Sequence, residues 1–157
     1  NIRVARKDAS RSDIVAACKA ARVHDFIAAL PEGYDTPLGE RGARLSGGER
    51  QRLSIARAIL VDAPVVVLDE VTAFADALNE AEIIRALKEL THDKTVLIIA
   101  HRLSTVMQAD SVVFLDRGEV IATGPHDALM RTSTRYRDLW AGDDEASGFH
   151  VSAAAGG

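Results

Sequence analysis

The chain has 157 residues, of which 47% are hydrophobic and 27% charged, and its formal net charge is −4. This composition predicts one soluble globular domain, and the negative charge predicts no general attraction to nucleic acid or anionic lipid. The single cysteine, Cys18, excludes an internal disulfide and fits a reducing compartment, and the longest apolar runs, such as Ala63 to Leu68, are too short to span a membrane.

The first 42 residues predict a helical segment followed by a loop. Apolar residues recur at helical spacing from Ser12-Asp13 to Leu30, and Pro31-Glu32-Gly33 ends the pattern. The stretch from Tyr34 to Gly42 contains two glycines and a proline, which favours a loop.

A second helix is predicted to begin after Ser46 and to run to about Val61. Serine is a favourable N-cap, and Gly47 and Gly48 allow another molecule to approach the backbone closely. The free N–H groups and the positive end of the helix dipole favour an anion in front of Ser46. Taken alone, such a turn is equally typical of a tight loop before a helix.

The apolar, β-branched run Val65 to Leu68 predicts a fully buried strand of a parallel sheet. It is followed directly by the carboxylates Asp69 and Glu70. One carboxylate of such a pair can hold Mg²⁺ through water, and the other can orient or deprotonate an attacking water. The alternative is a helix-capping acid beside a surface acid.

Helices and strands continue to alternate in the second half. A helix is predicted from about Asp76 to Leu90 with Ala81, Ile84, Leu87 and Leu90 on one face, and a buried strand is predicted at Thr95 to Ala100. The remaining elements are a short helix from Ser104, strands at Ser111 to Leu115 and Glu119 to Ala122 joined by Asp116-Arg117-Gly118, and helices at His126 to Arg131 and Thr134 to Trp140. Residues 142–157 are small and polar, which predicts a disordered tail.

This alternation predicts a parallel α/β sheet covered by helices, in which ligands bind beyond the carboxyl ends of the strands. Asp69, Glu70 and His101 all fall at such ends. His101 could contact a phosphate or position a water, although a histidine at a strand end is also a common structural residue.

Three motifs together are far more specific than any one of them. Ser46-Gly47-Gly48, the stretch Val65 to Glu70 and His101 resemble, in order and spacing, the signature motif, Walker B motif and switch histidine of ATP-binding cassette (ABC) ATPases. The stretches Leu30 to Thr36 and Gly39 to Gly42 resemble the transporter branch with the exporter-type fold, including its X-loop. The resemblance covers about residues 1–140 and implies the P-loop NTPase fold of ABC ATPases, incomplete, with part of the helical subdomain.

The resemblance implies ATP and Mg²⁺ as ligands and a role for each matched residue. Ser46, Gly47 and Gly48 bind the γ-phosphate of an ATP held mainly by a partner domain, and Glu49 is the fifth residue of this ATP-binding signature. Asp69 helps to hold Mg²⁺, Glu70 acts on the hydrolytic water, and His101 contacts the γ-phosphate. Asp76 lies in the D-loop at the dimer interface, and Glu40 faces a coupling helix of the transmembrane part. Glutamine is usual at the position of Glu49. Because this residue lies just past the anion-contacting turn, we expect the exchange to adjust the properties of the site and not to abolish its function.

The implied function is ATP binding and hydrolysis that powers transmembrane transport at the cytoplasmic face of the membrane. The implied partners are a second nucleotide-binding domain and transmembrane domains, with no nucleic acid. The D-loop stretch Thr72 to Asp76, followed by Asn79-Glu80, is similar to a subset of exporter-fold transporters that handle iron-siderophores. A regulatory, non-hydrolysing half-site is less consistent with the presence of both Glu70 and His101.

The alternative is the C-terminal lobe of a DNA-maintenance ABC ATPase of the SMC or Rad50 kind, which carries a similar signature. The loop Gly39 to Gly42, the lead-in Pro31 to Thr36, the absence of heptads and the acidic charge balance favour the transporter.

No G-x-x-x-x-G-K-[ST] loop occurs in the sequence. The chain therefore resembles the C-terminal part of a nucleotide-binding domain over residues 1–141, with about 1–62 as helical subdomain and signature helix and about 63–141 as Walker B and switch-histidine core. The family fold places the missing P-loop strand between the strands at Thr95 to Ala100 and Ser111 to Leu115. We expect the chain alone to be inactive and poorly stable, because unpaired strand edges invite association.

Overall fold

The computed structural model describes residues 1–38, 45–69 and 77–141, with the backbone alone for 77–80. The helices are α1 Arg11–Ala20, α2 His24–Ala28, α3 Gly47–Val61, α4 Ala77–Thr91, α5 Leu103–Val106, α6 His126–Thr132 and α7 Thr134–Ala141, with a 3₁₀ turn at Gly33–Asp35. The strands are β1 Val65–Asp69, β2 Thr95–Ile99, β3 Val112–Asp116 and β4 Glu119–Gly124. Two compact units divide the chain between Ile99 and Ala100.

The first unit contains a parallel strand pair connected by a helix. Strands β1 and β2 pair in register from Val65 opposite Thr95 to Asp69 opposite Ile99, and α4 forms the crossover between them. The parallel arrangement predicted from the apolar runs is confirmed. Val66 on β1 joins a core that the buried side chains of α1, α3 and α4 build. The division predicted at about residue 62 stays a prediction, as does the tail at 142–157, which lies outside the described residues.

The first helical segment is not continuous, contrary to the prediction. Helix α1 begins one residue earlier than its pattern indicated, because Ser10 and not Ser12 is the N-cap. Arg22 adopts a left-handed backbone with φ of 56°, which ends the helical geometry before α2. The apolar spacing persists across this break, since Ala21 and Val23 are both fully buried.

The apolar face predicted for α4 is confirmed at Leu87 and Leu90 and wrong at Ala81 and Ile84. Ile83, Ala86 and Leu90 are the buried residues, whereas Ala81 and Ile84 are exposed. Ile83, Ala86, Leu87 and Leu90 also follow the i, i+3, i+4, i+7 spacing, so the sequence offers two overlapping apolar stripes. Packing against α3 and α1 selects the stripe that contains Ile83.

One face of the two strands packs against the core through the buried Val66, although Ile98 on this face is still 44% exposed. Four side chains that share the other face are 48–61% exposed: Val65, Val67, Leu97 and Ile99. The prediction of fully buried strands is therefore wrong for this face. A continuous apolar run indicates cover on both faces, and the described residues provide cover on one.

The second unit contains the predicted hairpin of β3 and β4, which pair antiparallel. Arg117 and Gly118 at its turn have φ of 50° and 82°, as a tight two-residue hairpin turn requires. The core of this unit is formed around Tyr136, which is fully buried and makes edge-to-face contacts with Phe114 and Trp140. Among the described strands β2 pairs with β1 and β3 with β4, so a P-loop strand between β2 and β3 stays a prediction.

No helix in the described ranges combines the length and the apolar character needed to cross a membrane.

The two isoleucines of α4 provide a matched test of its packing. Replacement of the fully buried Ile83 by alanine in the intact protein should lower the free energy of unfolding by about 2–5 kcal/mol, because the cavity cannot collapse completely. Ile84→Ala, at a side chain that is 42% exposed, should change it by about 0.5 kcal/mol or less. Denaturant unfolding measures both, and an equal or larger loss at Ile84 would contradict the observed face.

Candidate functional site

The Ser-Gly-Gly turn, defined as residues 45–49, forms the start of α3. Ser46 is the N-cap, as predicted, and its Oγ accepts a hydrogen bond of 3.2 Å from the Glu49 N–H. In return, the Glu49 carboxylate accepts one of 2.7 Å from the Ser46 N–H. This reciprocal pair is a capping box, which satisfies two backbone donors at once.

A second side chain from α3 holds the residue before the cap. The Arg50 guanidinium donates a 2.7 Å hydrogen bond to the Leu45 carbonyl, while the Leu45 side chain is buried in the core. The turn is therefore fixed by Glu49 on one side of Ser46 and by Arg50 on the other. These two contacts were not predicted from the sequence, although Ser-x-x-Glu before an apolar run was a readable signal for the capping box.

Three donors of the Ser-Gly-Gly turn remain available for an anion. The Ser46 hydroxyl accepts from Glu49 and can still donate its own proton. The N–H groups of Gly47 and Gly48 lie in the first helical turn, where no carbonyl of the same helix can accept from them. Ser46 and Gly47 are exposed to solvent, so this donor set suits a phosphate oxygen.

Asp69 is the last residue of β1 and is exposed at the carboxyl end of the strand pair. Contacts around the first residues of both strands hold the strand pair in place, and with it the carboxyl end that carries Asp69. The Thr95 N–H donates to the Pro64 carbonyl at 3.0 Å, and Lys94 forms a 2.9 Å ion pair with Asp62, the C-cap of α3. The hydrogen bond and the charge of Lys94 lower the pKa of Asp62.

The other predicted site residues are distributed differently. His101 is exposed and lies in the second unit, two residues beyond the end of β2. Glu40, Glu70 and Asp76 lie outside the described residues, so their roles stay predictions. The structure thus brings Ser46, Gly47, Gly48 and Glu49 together in one turn, and it describes Asp69 and His101 separately.

Asp69, the residue predicted to hold Mg²⁺, is among the described residues. Across residues 1–38, 45–69 and 77–141, no group of three or more His, Cys, Asp or Glu side chains could hold a metal ion. The exposed Asp69 carboxylate fits Mg²⁺ in a water-mediated role, because this ion prefers hard oxygen ligands and keeps part of its hydration shell.

A separate cavity of about 230 Å³ lies among α1, α2 and the 3₁₀ turn, and neither the Ser-Gly-Gly turn nor Asp69 lines it. Phe26, Tyr34 and Leu38 contribute to its wall. The Tyr34 hydroxyl is 2.9 Å from His24 Nδ1, and the Arg11 guanidinium lies 4.7 Å from the centre of its ring. Burial raises the pKa of Tyr34, so this wall keeps a neutral phenol at physiological pH.

The ABC transporter family model matches residues 3–73, a range that contains the Ser-Gly-Gly turn and Asp69. The sequence is 53% identical over 139 residues to the beta-(1-->2)glucan export ATP-binding/permease protein NdvA of Brucella abortus, which is 88% of this chain and 23% of that protein. It is 54% identical over 140 residues to the mycobactin import ATP-binding/permease protein IrtA of Mycolicibacterium smegmatis, or 89% and 16% of the two chains.

Two further similarities agree with these. An ATP-dependent lipid A-core flippase of Albidiferax ferrireducens is 50% identical over 130 residues, which is 83% of this chain and 22% of that protein. The structure of a bacterial Atm1-family ABC exporter with ATP bound is similar with a TM-score of 0.77 and 39% identity, over 99% of this chain and 26% of that one. The chain spans less than a quarter of the length of each of these three curated relatives, and nothing among them supports the DNA-maintenance alternative.

Proposed function

Because the chain belongs to the ABC transporter family as part of an ATP-binding domain, we propose that it contributes one wall of a composite ATP site that powers transmembrane transport. The observation that carries the proposal is the Ser-Gly-Gly turn. Its capped geometry leaves the Ser46 hydroxyl free to donate, and the N–H groups of Gly47 and Gly48 have no acceptor within the same helix. A phosphate oxygen fits these donors without any rearrangement of the helix start.

The second wall comes from another polypeptide segment in this proposal. In this proposal, the ATP that faces the Ser-Gly-Gly turn is held mainly by the P-loop of a second nucleotide-binding domain. The Ser-Gly-Gly turn then closes over the γ-phosphate from across the interface. Asp76 belongs to the same interface through the D-loop. The closed sandwich drives the transmembrane domains, and hydrolysis resets them.

Three further residues would act on the second ATP of the sandwich, the one held by the P-loop half of the same domain. ATP would supply the phosphoryl group, and Mg²⁺ would neutralise the charge on it. Asp69 holds the ion through water, a role that suits its exposed place at the end of β1. Glu70 orients or deprotonates the attacking water, and His101 contacts the γ-phosphate.

A further proposed partner is the P-loop half of the same domain, and the exposed face of the two strands supports this proposal. The side chains of Val65, Val67, Leu97 and Ile99 form an apolar surface on two paired strands. A surface of this kind on a parallel sheet is normally covered, since such sheets are packed on both faces. We propose that the chain alone is inactive and that the P-loop half completes its sheet and its site.

Transmembrane domains are the remaining partner, at the cytoplasmic face of the membrane. Glu40 faces their coupling helix in this proposal, and the helical segment before Gly33 docks to the same part. The cavity lined by Phe26, Tyr34 and Leu38 supports this, because Leu38 precedes Glu40 by two residues in the sequence.

An iron-siderophore is the cargo we propose. The D-loop stretch Thr72 to Asp76 resembles transporters of that subset, and IrtA, a mycobactin import protein, is 54% identical over the shared region.

Ser46→Arg tests the turn, since the longer and charged side chain fills the space in front of α3. In the intact protein, ATPase turnover should fall by about 100-fold or more, the usual cost of losing a donor to developing charge. Siderophore transport into or out of vesicles should fall with it.

Ser54→Arg is the matched control, because Ser54 is exposed on the same helix. Unchanged ATPase in Ser46→Arg would remove the turn from the mechanism. Absence of siderophore transport by the wild-type protein would overturn the cargo alone.

Glu70→Gln tests the hydrolytic role by removing the charge and keeping the shape. ATPase turnover of the intact protein should fall by about 10²–10⁴-fold, as expected for loss of a positioned general base, while ATP binding persists. Steady-state phosphate release and equilibrium nucleotide binding measure the two effects.

Glu89→Gln on the exposed surface of α4 is the control, and the isolated 157-residue chain should release no phosphate. Turnover of Glu70→Gln within about twofold of wild type would contradict the assignment.

A further inference from the structure

We propose that Glu49 is a positioning residue that sets the ATP affinity of the Ser-Gly-Gly turn through two opposed effects. Its carboxylate orients Ser46 through the capping box, and its negative charge weakens binding of the phosphate at the same helix end. This inference rests on the proposed function and adds the reason why glutamate in place of glutamine tunes the site.

The orienting effect follows from the two hydrogen bonds between Ser46 and Glu49. The 2.7 Å bond from the Ser46 N–H and the 3.2 Å bond to the Ser46 Oγ fix both the backbone and the side chain of the serine. The carboxylate fixes the Ser46 backbone, and the Glu49 N–H occupies one acceptor position of the Ser46 hydroxyl, which can still donate its own proton. A glutamine carbonyl oxygen accepts the same backbone hydrogen bond, so this effect needs the shape of Glu49 and not its charge.

The opposing effect follows from the charge of Glu49. The carboxylate lies at the end of α3 where the Gly47 and Gly48 N–H groups are unpaired within the helix, so it competes with a phosphate for the same positive potential. The nearest guanidinium in sequence, that of Arg50, donates to the Leu45 carbonyl. In the described ranges of the chain, no lysine or arginine forms an ion pair with Glu49.

In a second capping box of the same chain, the carboxylate is paired with a cation. Ser10 and Asp13 at the start of α1 exchange the same two hydrogen bonds, at 3.0 and 3.1 Å. Asp13 differs in that Arg6 pairs with its carboxylate at 2.8 Å. The Ser10 backbone hydrogen bond, with smaller contributions from the Ser10 hydroxyl and Arg6, lowers the pKa of Asp13. The box at Ser46 lacks such a cation among the described side chains, so its charge remains directed at the anion site.

The test compares Glu49→Gln and Glu49→Ala with wild type in the intact protein, by the KM for ATP and kcat at about 0.05 and 0.5 M salt. Glu49→Gln keeps the box and removes the charge, so KM should fall about three- to tenfold at low salt, with a smaller change in kcat. The difference should shrink at high salt because the charge is screened. Glu49→Ala also loses the side-chain hydrogen bond to the Ser46 N–H, so its KM should exceed that of Glu49→Gln.

Asp13→Asn and Asp13→Ala are the controls, because they change a capping box of equal geometry away from the turn. They should lower the melting temperature without changing KM. A KM of Glu49→Gln equal to or above that of wild type at low salt would overturn the inference. If Glu49→Gln gives that result while Ser46→Arg abolishes turnover, only the role of Glu49 is overturned. A fully active Ser46→Arg overturns the proposed function and this inference together.

Discussion

The interaction on which the site depends is the reciprocal hydrogen-bond pair between Ser46 and Glu49. It sets where α3 begins, and the helix start determines which backbone donors are left for a ligand. The buried Leu45 side chain and the Arg50 bond to its carbonyl connect this turn to the core of the first unit. The geometry of the helix start is therefore a property of packing as well as of the motif.

The same core also explains why one polypeptide segment can provide only part of an ATP site. Helices α3 and α4 cover one face of the β1–β2 pair, and the other face carries exposed valine, leucine and isoleucine side chains. Apolar area of this kind is stabilising only when it is removed from water. The exposed face therefore supports the proposal that a further protein segment covers the strand pair that carries Asp69.

Much of this arrangement was readable in the sequence. The bounds of α3 and of the four strands were predicted within two residues, because N-cap, β-branched and turn signals are local. The buried stripe of α4 could not be predicted, since two apolar stripes share Leu87 and only tertiary packing against α3 selects the one that contains Ile83. The break at Arg22 could not be predicted either, because a left-handed residue does not change the apolar spacing. At the candidate site, the motifs indicated Ser46 and Asp69, and the pattern Ser-x-x-Glu was a readable signal for the capping box. The hydrogen bond from Arg50 to the Leu45 carbonyl required coordinates.

The most direct measurement is a structure of the intact protein with a non-hydrolysable ATP analogue. We predict the γ-phosphate within about 3.5 Å of the Ser46 hydroxyl and of a Gly47 or Gly48 N–H, with the lysine of a second domain on its other side. A triphosphate bound with no contact to residues 46–48 would contradict a composite site that includes the Ser-Gly-Gly turn.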